Sequence, residues 1–221
     1  MDDHWEYDRD PHGRDRKVTR PTGVINRIVF PSVKMMRQIH CEGDNERNAV
    51  ALMEVHPRIA TYREQPPLDL RITIAGRVRK VFPDFELTYR DGSSEIIDVV
   101  RARTLLKADK REKMRRIGAI CRERGFKYRL WTDLDIERQP RLSGANEICR
   151  RGRKSLSDQL IARAIRMLPE CQTVGALNIA LGGQIDTTCA LVLQGHLAVD
   201  ISQGLNDRTP ILGHGWRSDK L

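Results

Sequence analysis

A carboxylate in the middle of an apolar strand constrains this chain more than any other feature. The run Ile96-Ile97-Asp98-Val99-Val100 is apolar except for Asp98. An unpaired buried charge is costly, so a buried Asp98 must be satisfied. Upstream, Phe85, Leu87 and Tyr89 alternate, so Asp84, Glu86 and Thr88 fall on the other face of that strand. Asp91-Gly92 is a hairpin turn signal. Residues 81–103 therefore read as two strands joined by a short turn. Asp98 is satisfied either by a divalent metal shared with Asp84 or by a nearby arginine.

The charge distribution narrows the partner. The chain has 221 residues and a formal net charge of +9. Residues 101–129 hold twelve Lys/Arg against three Asp/Glu, +9 in that window alone. From Ser155 to the end, five basic residues meet six acidic ones, giving −1. The basic surface lies beside the two aspartates, which suits a polyanionic substrate such as DNA. Candidate DNA contacts in the stripe are Arg101, Arg103, Arg115, Arg116 and Arg122. The alternative is a solvated basic helix with no partner.

Five cysteines without CxxC spacing and six histidines without HExxH spacing argue against a structural zinc site. Unpaired thiols fit a reducing, cytoplasmic setting. No apolar run reaches the roughly 20 residues of a membrane span, and no secretory-type signal opens the chain.

In order, residues 1–13 are acidic and read as a disordered or loosely docked tail. Residues 14–37 are basic and read as an arm, on the domain or on DNA. Residues 44–55 read as a helix capped by Asp44 and ended by His56-Pro57. Glu46 sits on its apolar stripe, either stabilised at the helix start or serving as a metal ligand. Residues 62–67 read as an extended connector. Strands are expected at 68–74, 78–82 and 128–132. A helix is expected at 104–124, with Leu106, Lys110, Lys113, Ile117 and Ile120 facing inward. The result is an α/β fold, a mixed sheet flanked by helices. A composition change at 149–154 divides a 41–150 domain, preceded by the 1–40 tail and arm, from a 151–221 domain. There, helices at 158–168, 174–181 and 187–193 precede a strand at 195–201 and a turn at Asn206-Asp207. That order suggests a winged helix-turn-helix.

Pro83-Asp84, a turn, and an acid near the end of an apolar strand form the skeleton of the PD-(D/E)xK nucleases. Their lysine follows two residues after the second acid, on the same face; here that position is Val100. The set Glu46-Arg47, Leu52-Met53-Glu54-Val55-His56-Pro57, Glu64-Gln65-Pro66, Phe82-Pro83-Asp84-Phe85, Ile97-Asp98-Val99-Val100 and Leu130-Trp131-Thr132-Asp133 resembles the TnsA endonuclease subunit of heteromeric transposases.

The resemblance implies a restriction-endonuclease-like domain that cleaves DNA at the 5′ ends of a transposon with Mg²⁺ or Mn²⁺. It implies a TnsB-type transposase as partner, and a TnsC-type ATPase that contacts the C-terminal region. Glu46, Asp84 and Asp98 would then be metal ligands. With Val100 in the lysine position, Lys110 or Lys113 could supply the positive charge from the next helix, or a bulge could turn Arg101 inward. If neither holds, the chain is a silent DNA-binding assembly subunit.

Overall fold

The computed structural model describes residues 27–74 and 76–217. The expected acidic tail and most of the expected arm lie outside those residues. The elements in chain order are β1 (Arg27–Ser32), β2 (Arg37–Glu42), α1 (Asp44–Val55), β3 (Ile59–Glu64), β4 (Leu70–Ile74), β5 (Arg77–Val81), β6 (Phe85–Tyr89) and β7 (Ser94–Val100). A 3-10 turn at Ala102–Leu106 leads to α2 (Ala108–Glu123), β8 (Lys127–Thr132), α3 (Asp133–Ile136) and α4 (Arg141–Arg151). The chain continues through α5 (Asp158–Met167), α6 (Val174–Leu181), α7 (Ile185–Leu193), β9 (Leu197–Val199) and β10 (Ile211–His214).

The centre is a mixed four-stranded sheet in the order β3-β6-β7-β8, with β7 and β8 parallel. Phe85 pairs with Ile97, and Leu87 with Glu95. Period two then divides the sheet into two faces. Phe85, Leu87, Ile97, Val99 and Trp131 join the larger core around α1, whereas Ile96 and Tyr128 join Leu70, Ile72, Ile117 and Cys121 beneath α2 and the β4–β5 hairpin. The mixed sheet between helical layers agrees with the expected α/β class. The turn at Asp91-Gly92 also forms, with Gly92 at φ 80 and Asp91 accepting hydrogen bonds from Ser93.

Several expectations change. The segment expected as an arm becomes, from Arg27 onward, the antiparallel hairpin β1–β2, packed on the core through Phe30 and Ile39. The connector at 62–67 begins as strand β3, with Tyr62 and Glu64 buried. Helix α4 had no clear signal, yet Leu142, Ala145, Ile148 and Cys149 on it are buried. Near the composition change at 149–154, α4 ends against α7 so closely that a Cβ on Gly152 would meet the Cys189 carbonyl at 2.5 Å. One buried cluster runs from Phe30 through Ile148 to Val199.

The N-terminal hairpin is fastened by a buried polar network. Glu54, fully buried near the end of α1, accepts hydrogen bonds from the Ser32 and Tyr62 hydroxyls. Its other oxygen accepts from the amides of Val33 and Lys34 at 2.6 and 2.9 Å. Lys34 then reaches back, its ammonium donating to the carbonyls of Met53, His56 and Ile59 at 2.8, 3.0 and 2.9 Å. Two of these carbonyls belong to the end of α1, where a cation is favoured. Burial draws the Lys34 pKa down to about 7, against the opposing pull of Glu54.

Removing Glu54 leaves the Val33 and Lys34 amides without this acceptor, the Ser32 and Tyr62 hydroxyls with each other as acceptors, and the buried Lys34 ammonium without a nearby carboxylate. Glu54→Ala is expected to lose about 3–5 kcal/mol of stability, as breaking one side of a buried polar pair does. Urea denaturation would measure this as a lower midpoint. A change below about 1 kcal/mol would mean the network is not what holds the hairpin.

Candidate active site

Asp84 precedes β6 and Asp98 lies near the end of β7, and the antiparallel register brings them together. They are joined through the backbone. The Asp84 amide donates to Asp98 Oδ1 at 3.2 Å, and the Val99 amide donates to Asp84 Oδ2 at 2.7 Å. The Tyr128 hydroxyl donates to Asp98 Oδ2 at 2.6 Å. Tyr128 stands on β8, two residues before the register partner of Asp98, so both project to the α2 face. Its ring lies against Gly118 of α2, where an added Cβ would meet the ring at 2.8 Å.

More negative charge surrounds the pair. Glu46, at the start of α1, accepts a hydrogen bond from the Glu42 amide at 2.7 Å. Glu42 is itself reached by the Gln65 amide group at 3.4 Å. Burial raises the Asp84 pKa well above the usual carboxylate range, and Asp98, Glu46 and Glu42 raise it further, against the hydrogen bond from the Val99 amide. Burial also raises Asp98, but the Tyr128 hydroxyl, the Asp84 amide and Lys113 oppose it. The environment therefore favours a proton on Asp84 before one on Asp98.

Hard oxygen donors crowded at one point suit a hard divalent cation. Magnesium is commonly held by one or two carboxylates, with water and substrate phosphate completing its shell. Asp84 and Asp98 meet that requirement. Among the described residues no three His, Cys, Asp or Glu side chains group closely enough to hold a metal. Glu46 therefore influences the pair electrostatically but does not close a three-ligand cage in this conformation.

The expected sources of positive charge separate clearly. The β7–β8 register is unbroken to Val100, so no bulge turns Arg101 inward, and both Arg101 and Arg103 are exposed. Lys110 also points away. Its side chain is 49% exposed and lies 3.7 Å from Asp109. Leu106, expected on the inward stripe, is 81% exposed. The 3-10 turn at Ala102–Leu106 takes the start of the stripe out of the helix, whereas Ile117 and Ile120 pack inward as expected, with Gly118 and Cys121 buried and Met114 partly buried beside them. Lys113 borders this face, half-buried, and acts electrostatically on Asp98. No ion pair among the described residues is formed by Lys113.

The basic stripe on α2 is partly neutralised. Glu112 binds Arg115 and Arg116, each at 2.7 Å. Arg122 makes no such pair among the described residues and lines a groove with Arg111, Arg115, Gly118, Tyr128 and Arg129. Sequence reasoning missed Tyr128 and Glu42. Tyr128 had a partial signal, an aromatic in an expected strand, but only the register shows that it faces Asp98.

Residues 56–133 match the family described as TnsA-like endonuclease N terminal. The matched stretch contains Asp84, Asp98, Val100 and Lys113 and leaves Glu46 outside. No curated protein matches the chain.

The burial of Asp84, with the acids around it, gives a pH-dependent test. Its folded pKa is raised above the ordinary 3.8, so ionising it costs the folded state more than the unfolded one. That cost is absent below pH 3.8 and accumulates as pH rises through the folded pKa. In metal-free buffer, Asp84→Asn should raise Tm at pH 7–8 by a few degrees and leave it unchanged near pH 4. Thermal melts across that range measure this, and a lower Tm at pH 8 would refute that cost.

Proposed function

We propose that this chain, which carries a TnsA-like endonuclease domain over residues 56–133, is a metal-dependent DNA endonuclease subunit acting with a transposase at transposon ends. The observation that supports it most is the Asp84–Asp98 pair, placed beside Lys113 and under a helix rich in arginine. A structural aspartate pair would not need further acids pressed against it.

In this reading Asp84 and Asp98 hold Mg²⁺ or Mn²⁺, with Glu46 at its margin. The cation, once bound, stabilises the charge that develops at the scissile phosphate. Tyr128 fixes the orientation of Asp98 through its hydroxyl. Lys113 supplies a second positive charge from the side of α2, in place of the lysine that the motif would carry at Val100. The arginines of α2 hold the phosphate backbone and orient the duplex. A TnsB-type transposase and a TnsC-type ATPase are the proposed partners. The helices α6 and α7, which turn through 113° and precede the β9–β10 hairpin, support a winged-helix reading of the C-terminal part.

A second reading keeps the binding and drops the chemistry. It is favoured by Val100, which stands on the same face as Asp98 and can neither donate a proton nor stabilise charge. A nicking assay with transposon-end DNA, Mn²⁺ and the transposase separates the two. In the first reading, Lys113→Ala lowers cleavage on the order of 10²-fold, the typical cost of a lost transition-state charge partner. Lys110→Ala leaves it near native. Absence of Asp84-dependent cutting in the native chain, with cutting restored by Val100→Lys, establishes the second.

DNA contact is tested apart from cleavage. Arg122→Gln should reduce the slope of log affinity against log salt by about one, for one lost phosphate contact. An unchanged slope in filter-binding or anisotropy titrations would move the DNA surface off α2.

A further inference from the structure

The strand β8 ends the central sheet, and its outer edge has no strand beside it among the described residues. Such an edge offers a row of unpaired amides and carbonyls, which proteins usually cover or blunt. Here both flanks of the edge are hollow. On the α1 face lies a cavity of about 600 Å³ floored by Leu52, Val55, Trp131, Val199 and Ile201. On the α2 face lies the groove of about 430 Å³ already described. Arg129 and Leu130 of β8 line both.

The larger cavity carries a marked excess of positive charge. Arg58, Arg129, Arg138 and Arg141 stand on its rim. Its two carboxylates are taken up locally. Asp135 accepts from the amide and hydroxyl of Thr132 at 3.1 and 2.7 Å, and Asp200 from the amide of Ser202 at 2.9 Å. Of the arginines, Arg129 is bound to Glu95 at 2.9 Å. Arg58 and Arg138 form no ion pair among the described residues. Arg141 donates to the Asp135 carbonyl, while its Nε is buried without any hydrogen-bond partner. The field is felt by His56, whose pKa falls to about 4 through burial and through Lys34, Arg58, Arg141 and Arg129.

We propose that an extended, acidic segment of a partner protein docks along β8, continues the central sheet as a fifth strand, and places its carboxylates among Arg58, Arg138 and Arg141. Alternate side chains of an added strand point to opposite faces. One set enters the apolar cavity, the other the groove on the α2 face. The carboxylates take the cavity side, where Arg58, Arg138 and Arg141 stand, and the apolar set takes the groove beside Leu105, Met114 and Leu130, which fixes the parity. The buried Arg141 Nε gains the acceptor it lacks.

Two other occupants fit less well. A second copy pairing β8 with β8 would set Lys127, Arg129 and both arginine rims against like charges. A nucleic acid would meet strand carbonyls and an apolar floor with its phosphates. The larger cavity also lies on the α1 face, away from Asp98. The arginine-rimmed cavity is thus distinct from the DNA surface proposed on α2, and only the α2-face groove is shared with it.

The test uses the native chain and a fluorescent octapeptide alternating glutamate and valine. Saturable binding is expected, with slowed hydrogen exchange at the amides of 127–132. Arg138→Glu with Arg141→Glu should weaken binding on the order of tenfold or more. Because those changes could disturb folding, two N-methylated peptides give an independent reading. Methyls on alternate amides facing β8 should abolish binding, and methyls on the opposite parity should leave it intact. The proposal is overturned by no saturable binding, by equal binding of a lysine–valine octapeptide, or by indifference to the parity of methylation. It is also overturned if the protein alone dimerises with β8 protected, or if duplex DNA rather than the peptide protects β8. Nicking activity is not part of the readout, so a silent nuclease would leave this result unaffected.

Discussion

Glu54 is the contact on which the assembly of this molecule turns. It is a charge held wholly inside, and it is tolerated because four donors converge on it. Those donors come from the β1–β2 turn and from β3, and the carboxylate itself comes from α1. Lys34 closes the circuit by tying the same turn to the end of α1 and the start of β3. The result fixes where α1 ends and, through its length, where its first turn lies. Glu46, on that first turn, and Glu42, at the end of β2, both act on Asp84. The acid cluster is thus set at a distance by a polar interior that makes no contact with it.

The two electrostatic centres resolve the same cost differently. Around Glu54 the protein supplies complete hydrogen bonding, and the site is rigid and closed. Around Asp84 it supplies one backbone amide and adds further acids. A fold selected only for stability would have neutralised Asp84 as it neutralised Glu54. The imbalance is what makes the pair receptive to a cation.

Much of this was legible in the sequence because the signals were local. The alternation Phe85, Leu87, Tyr89, the Asp91-Gly92 turn and the single acid in 96–100 fix the central hairpin, and with it the meeting of Asp84 and Asp98. What could not be read was phase and register. Only the start of the inward stripe of α2 was lost, to a 3-10 turn that period counting cannot see, which removed Leu106 and Lys110 and left Lys113, Ile117 and Ile120. Tyr128 required the parallel register of β8, a relation between segments far apart in the chain. Helix α4 was hidden because its few buried apolar residues, Leu142, Ala145, Ile148 and Cys149, are interspersed with polar ones and no capping side chain marks its start, and the β1–β2 hairpin because Glu54, which satisfies it, lies twenty or more residues away.

The contact between Gly118 and the ring of Tyr128 couples positions that no substrate need touch. Any side chain at 118 would have to be matched by a smaller residue at 128, and a smaller residue there cannot carry a hydroxyl as far as Asp98. Across homologues the two positions should therefore drift only in step. A lineage that enlarges 118 would reveal, without an assay, that it no longer depends on Asp98 being held in place.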